Sequence, residues 1–349
     1  MSNRNDYMMD YLYQKAYKTN SPISVVIELL TMCNMRCEHC YIPEHNNSGF
    51  EHDRIINLLY ELRELGVFNV SFTGGEIFLR EDILEIISVA RKLHMRVFLL
   101  SNGTMLSSKT IDELETLHIS EFSTTLFSMD PIIHDSITGI KGSYDSLMAN
   151  LEDMKNRTFS VNVKTPLMKK NVDFQPVRDY CNANGFTHGI FPHIQAKTNG
   201  DTAPFKLRIP DNIMPSVLCE FDKTDRNRYL SDTDVPCASI FYSFAIDCTG
   251  NVYPCNAFFF KIGNIYEKSL FEIWNSPELK MLKEIKNSDL KRCIECTYKS
   301  ECDRCPGTAY NESGDLYGCD EYSKKLSMIR LNNYQLVNNH KLEHFHEKQ

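Results

Sequence analysis

Between Ser24 and Ile194, short apolar runs and longer amphipathic stretches take turns six times, and this rhythm is the strongest constraint on what the chain can fold into. The runs are Val25–Leu30, Val67–Thr73, Val97–Leu100, Ile119–Thr125, Val161–Pro166 and Gly189–Ile194, with the length and composition of strands. Between them, Ile55-Ile56-x-Leu58-Leu59-x-x-Leu62 and Ile83-Leu84-x-Ile86-Ile87-x-x-Ala90 repeat at three and four residues, the spacing of one helix face. Strands separated by helices pair in parallel, because a parallel neighbour needs a crossover and a helix supplies it. Six units fall short of the eight that close a barrel, so the expected class is α/β, a partial, TIM-like (β/α)6 barrel. Functional groups of such folds gather at the carboxyl ends of the strands, here the loops after Leu30, Thr73, Leu100 and Thr125.

The rhythm breaks near Gly200. Pro204, Pro210, Pro215 and the charged stretch Asp222–Arg228 read as a linker over 201–235. Residues 1–22 read as an N-terminal extension, 23–200 as the barrel and 236–322 as a small cysteine-rich unit with a short helix near Leu270–Asn275. In that unit metal is expected to do what a hydrophobic core does elsewhere. Residues 323–349 read as a polar tail, helical at first, whose His340, His344 and His346 form a solvated terminus.

The chain holds 13 cysteines among 349 residues, well below the roughly 8–10% of small disulfide scaffolds. Its start is polar where a secretory signal would be apolar, so the thiols are expected to stay reduced in a cytoplasmic protein. No apolar run approaches the roughly 18 residues of a membrane span. With 46 acidic against 38 basic residues the net charge is −8, opposite to the basic character of nucleic-acid binders. Neither a membrane nor a nucleic acid is an expected partner.

Reduced, clustered cysteines point to metal. Thr31-Met-Cys33-Asn-Met-Arg-Cys37-Glu-His-Cys40-Tyr41 spaces three of them as C-x3-C-x2-C in the loop after the first run. A four-iron cluster on three thiolates keeps one iron free to bind a small molecule, whereas structural zinc wants four protein ligands.

These residues resemble the radical S-adenosylmethionine (SAM) superfamily, whose hallmark is this spacing with an aromatic or similar residue before the last cysteine, here His39. Phe72-Thr73-Gly74-Gly75-Glu76 is similar to the family's GGE motif, which by the resemblance receives the methionine amino group of SAM. Two glycines let a backbone approach a ligand closely, and a carboxylate accepts from an ammonium group. Family members commonly carry proline after the glutamate, where this chain has Ile77. Ser101-Asn102-Gly103 resembles the polar turn near the SAM ribose and carboxylate, and Ser128 matches by order a fourth-strand serine that contacts SAM. His134-Asp135-x-Ile-Thr138-Gly139 and Gly142-Ser143 follow as in peptide-modifying members.

Farther on, Cys237 and Cys255, the foursome Cys293-x2-Cys296-x5-Cys302-x2-Cys305, and Cys319 resemble the SPASM domain, the auxiliary-cluster extension of radical SAM enzymes. The last spacing of the foursome is usually three residues and is two here. The resemblance implies that Cys237, Cys255 and Cys305 hold one auxiliary 4Fe–4S cluster and Cys293, Cys296, Cys302 and Cys319 a second. Cys248 is a candidate fourth ligand of the first. A zinc ribbon built on the paired C-x2-C units is the competing reading, but leaves Cys237, Cys255 and Cys319 without a role. Cys181 and Cys219 lie outside both patterns and are assigned none.

As the resemblance implies, a 4Fe–4S cluster on Cys33, Cys37 and Cys40 binds SAM and cleaves it reductively to a 5′-deoxyadenosyl radical that abstracts hydrogen from a substrate. The expected substrate is a ribosomally made precursor peptide or a protein, matured by a thioether or carbon–carbon crosslink. The alternatives are formylglycine formation in a sulfatase or modification of a tetrapyrrole or other small molecule. A reductant such as flavodoxin or ferredoxin is an implied partner. The roughly 23 residues before the first run are too few for a separate leader-binding domain, so a leader is expected to bind elsewhere or through a separate leader-binding protein.

Overall fold

The computed structural model describes residues 4–221 and 231–332. Nine strands form one open sheet in the order β6-β5-β4-β3-β2-β1-β7-β8-β9. Strands β1 (Ser24–Glu28), β2 (Asn69–Thr73), β3 (Arg96–Leu100), β4 (Glu121–Thr125), β5 (Ser160–Pro166) and β6 (Thr187–Phe191) are parallel to their neighbours. These are the six runs expected from the sequence, and each step between them crosses over through at least one helix.

Helices cover the outer face of the curved sheet. Ile55, Leu58, Leu59 and Leu62 of the helix His52–Leu65 are buried, as are Ile83, Ile86, Ile87 and Ala90 of Ile83–Lys92. They meet the strand residues that point outward, such as Val25, Ile27, Val161 and Val163, in one continuous core. The alternate strand residues face inward, and among them Glu28 stands beside Thr73 and Thr125 beside Lys164. The inner carboxyl-terminal rim of the half-barrel is therefore polar.

The cysteine-rich region departs from the expectation that metal replaces a core there. Strand β7 (Ser243–Ile246) pairs in parallel with β1 and continues the barrel sheet, and β8 (Asn251–Tyr253) and β9 (Gly263–Asn264) extend it antiparallel. Phe244, Ile246, Val252, Ile273, Trp274 and Leu282 belong to the same core as the barrel. An open edge at β1 exposes unpaired backbone groups, and β7 satisfies them.

The C-terminal reading also needs correction. A helix over 321–332 buries Tyr322, Leu326 and Ile329 against Leu167, Phe174, Met214 and Leu218, a second core. Apolar residues four and three apart make one face of it, so this stretch is packed rather than a solvated tail. Met214, Val217 and Leu218 show that the expected linker also contributes to that core. The charged stretch Asp222–Arg228 and His340, His344 and His346 lie outside the described residues. Among the described residues no helix is long and apolar enough to cross a membrane.

Candidate functional site

The loop from Thr31 to Tyr41 leaves β1 and lies across the rim, held by three neighbours. Gly75 N and Glu76 N donate to the carbonyls of Leu30 (2.9 Å) and Met32 (2.8 Å). On its far side, Arg36 N and Glu38 N donate to the carbonyls of Thr138 (2.9 Å) and Ile137 (3.1 Å), at the end of the helix Pro131–Thr138. Gly139 follows with φ of 73°, and a Cβ there would sit 3.2 Å from the Arg36 carbonyl. The segment around His134 thus buttresses the cysteine loop. Asp135 caps the next helix through Gly142 N (2.6 Å) and Tyr144 N (2.9 Å).

Cys33, Cys37 and Cys40 converge on a cavity of about 220 Å³, whose wall also includes His39, Gly74, Gly75, Ser101, Asn102 and Lys164. Burial pushes the Cys37 thiol up to about 12 and Cys40 up to about 11, and Cys33 and Cys40 add to the burden on Cys37. Met35 N points at the Cys33 sulfur from 3.4 Å, and Asn102 Nδ2 from 3.9 Å. Three buried thiols with donors aimed at sulfur suit an iron–sulfur cluster, whose irons supply the positive charge that buried thiolates lack.

The two motif glycines line this cavity and also make a close backbone contact. A Cβ on Gly74 would sit 2.3 Å from the Leu30 carbonyl oxygen, and one on Gly75 2.1 Å from that of Met32. They permit close approach of backbone to the cysteine loop, and in doing so bring the loop and the β2 turn to one cavity. Glu76 is fully buried beneath that wall. Its carboxylate accepts from Ser101 Oγ (2.8 and 3.0 Å), Asn102 N (2.8 Å) and Phe78 N (3.0 Å), and burial raises its pKa. Glu76 therefore orients the β3 turn. Asn102 Nδ2 reaches the cysteine loop at Asn34 Oδ1, 2.7 Å away.

Ser128 is also off the wall, nearly buried, with its hydroxyl accepting from Asp130 N (3.0 Å) at the start of the helix. His39 sits edge-on to Phe127 with ring centroids 5.1 Å apart, and burial lowers its pKa to about 4, so it is neutral. Its Nδ1 is buried without a hydrogen-bond partner among the described residues. Sequence reasoning gave Lys164 no role, yet among the described residues it is the single Lys or Arg on this wall. Period-two alternation in β5, with Val161, Val163 and Thr165 outward, places Lys164 inward and is the signal that reveals it.

The remaining thiols form two further groups. Burial, with Cys305 and Cys237 close enough to add to it, drives Cys255 to about 12, and its sulfur accepts from Ala257 N at 3.4 Å. Cys293, Cys296, Cys302 and Cys319 line one cavity of about 500 Å³. Arg304 donates to the carbonyls of Leu316 and Gly318 and so fixes the approach to Cys319. Cys248 is buried and is turned toward Glu28 and Asp247 rather than toward that trio.

None of the twelve described cysteines is in a disulfide. Among the described residues no three His, Cys, Asp or Glu side chains close around a point as one metal ion requires. Thiols grouped but held apart suit a multi-iron cluster with its own sulfides better than a lone zinc.

A second cavity, of about 350 Å³, adjoins the first through Tyr41 and Thr73 and extends to Cys255. Its wall carries Glu28, Glu44 and Asp247 and no Lys, Arg or His. Burial, with Asp247 close by, raises Glu28 to about 7. Sequence reasoning missed Glu28, although it is the one charged residue in the apolar run Val25–Leu30.

Comparison with known proteins agrees with this geometry. The radical SAM superfamily model matches residues 27–181, and the SPASM iron–sulfur cluster-binding domain model matches 237–306. An AdoMet-dependent heme synthase of Methanosarcina barkeri is 22% identical over 340 residues, covering 87% of this chain and 97% of that protein. The subtilosin biosynthesis protein AlbA of Bacillus subtilis is 26% identical over 312 residues, covering 83% of this chain and 66% of that protein. Streptococcus suis SuiB bound to its precursor peptide SuiA superposes with a TM-score of 0.67 at 15% identity, covering 90% of this chain and 79% of that one, which is a likeness of fold. The two family models match separate stretches that together span more than half of the chain, which belongs to the radical SAM superfamily as an enzyme with a C-terminal SPASM domain.

Proposed function

We propose that the enzyme modifies a peptide, removing hydrogen from it to form a crosslink in a ribosomally made precursor. The observation that carries this reading is the charge of the second cavity, the space beside the cofactor pocket. A tetrapyrrole such as haem carries carboxylates, and a wall of Glu28, Glu44 and Asp247 with no cation repels them. A peptide strand brings no such obligatory negative charge. AlbA and SuiB give the same direction, while the heme synthase keeps a tetrapyrrole as the second reading.

In this account Cys33, Cys37 and Cys40 hold the cluster that binds SAM, together supplying the electron and the carbon radical that start the reaction. Gly74, Gly75, Ser101 and Asn102 form the cradle for SAM, and Lys164 neutralises its carboxylate. Glu76 and Ser128 act through the turns they hold, and His39 with Phe127 closes the wall against water. Cys237, Cys255 and Cys305 hold one auxiliary cluster, Cys293, Cys296, Cys302 and Cys319 the other, and a reductant protein of the flavodoxin or ferredoxin kind supplies electrons.

The test is to incubate the reconstituted enzyme, SAM and reductant with peptides encoded beside its gene and to read their masses. Loss of two hydrogens from one peptide with equal formation of 5′-deoxyadenosine is expected. Turnover of a tetrapyrrole and of no peptide overturns the reading.

A further inference from the structure

We propose that the cavity between the first cysteine loop and Cys255 seats a positively charged side chain of the substrate, a primary ammonium or a guanidinium, against the carboxylate of Glu28. The inference rests on the peptide reading and names the chemistry of the residue that the peptide presents.

Four features lead there. The cavity, about 350 Å³, is of a size that holds a ligand group, and it shares Tyr41 and Thr73 with the three-thiol pocket. A side chain anchored in it therefore keeps its own carbon atoms beside the cofactor. Its walls are aromatic: the rings of Tyr41 and Phe259 lie 6.4 Å apart and nearly parallel, and Tyr253 meets Phe259 edge-on. Ring faces of this kind attract cations.

The third feature is an imbalance of charge. Asp247 is occupied, accepting from Thr249 N, Asn251 N and the Tyr253 hydroxyl as it closes the turn between β7 and β8. Glu28 accepts from the Tyr41 hydroxyl at 3.0 Å and faces the Cys248 thiol, neither of them a cation. A carboxylate drawn out of water without a partner charge is costly, and its rise to about 7 reports that cost. The fourth feature is placement. Glu28 ends β1 on the inner face, in register with Thr73, so the sheet itself aims it into the barrel. A half-buried charge that no described residue compensates, in a cavity open to substrate, is matched by a substrate of opposite charge.

The probes are n-butylammonium and the neutral 1-butanol, titrated by ligand-observed NMR into the full-length, cluster-loaded protein with SAM bound. The ammonium is expected to bind about tenfold more tightly than the alcohol, a preference abolished in Glu28→Gln and partly kept in Glu28→Asp. Equal binding of the two probes by the wild-type protein overturns the proposal whether or not the variants fold, as does a preference that survives Glu28→Gln. These readouts are independent of turnover. Equal probe binding with a peptide still modified refutes this inference alone, whereas turnover of a tetrapyrrole alone refutes the peptide reading.

Discussion

Replacing Gly75 by alanine tests the claim that the motif glycines hold the cysteine loop in place. The added Cβ would lie 2.1 Å from the Met32 carbonyl oxygen and 2.5 Å from that of Thr31, so one backbone or the other moves by about 1 Å or more. If neither yields, overpacking costs about 1–3 kcal/mol. If the loop yields, the bonds from Gly75 N to Leu30 and from Glu76 N to Met32 are lost, about 1 kcal/mol each. Either route costs about 1–3 kcal/mol, which a domain with typical stability of about 5–15 kcal/mol survives. The site does not, because a displacement of about 1 Å in a positioned group costs on the order of a hundredfold. Gly142→Ala is the control: its φ of 83° strains an alanine, a penalty Gly75→Ala does not carry, but nothing lies within 4 Å of the new carbon. Iron content and SAM affinity, by equilibrium dialysis under anaerobic conditions, are expected to fall in Gly75→Ala and to stay unchanged in Gly142→Ala. SAM affinity within twofold of wild type in a folded Gly75→Ala protein refutes the reasoning.

Lys164→Met removes the one Lys or Arg on the three-thiol pocket wall and is expected to weaken SAM binding about tenfold, with Lys164→Arg retaining most of it; unchanged affinity for Lys164→Met counts against the carboxylate role. Cys293→Ala with Cys296→Ala is expected to lower iron by about four per chain while 5′-deoxyadenosine formation persists without peptide product; full product formation contradicts the second auxiliary set. The His52 Nδ1 contact with Asp82, at 2.9 Å, raises the histidine pKa and joins the starts of two helices. A raised folded-state pKa stabilises below the unfolded value near 6.5 and the gain is lost as pH rises through the folded value, so His52→Asn should lower the melting temperature below about pH 6 and not above about pH 8.

Much of the fold was legible because two periodicities are strong. Val25–Leu30 and its five counterparts are short apolar runs, and Ile55 to Leu62 repeat as one helix face, so strands, helices and their parallel order follow. The cysteine clusters were legible because their spacing is rare. Tertiary packing hid the rest. Nothing in Ser243–Ile246 announces that it docks on β1, since any short apolar strand fits a parallel edge. Tyr322, Leu326 and Ile329 are separated by polar residues that masked their common face. Glu28 and Lys164 were passed over because a charged residue in an apolar run reads as an interruption, whereas in a half-barrel the inner face is where such residues belong.

The same geometry explains how Glu76 and the glycines shape the cofactor cavity. Their hydrogen bonds join three separate chain segments, the cysteine loop, the β2 turn and the β3 turn, into one wall. Besides lining the cavity through its glycines, the motif fastens the segments that let Cys33, Ser101 and Asn102 share it.

The most direct test of the whole account is the iron and sulfide content of the anaerobically reconstituted protein, with zinc measured alongside. Three thiol groups, each holding a four-iron cluster, predict about twelve irons and twelve sulfides per chain and no zinc. About four irons would leave the SAM-binding cluster and contradict both auxiliary sets, and zinc in place of iron would contradict the account altogether.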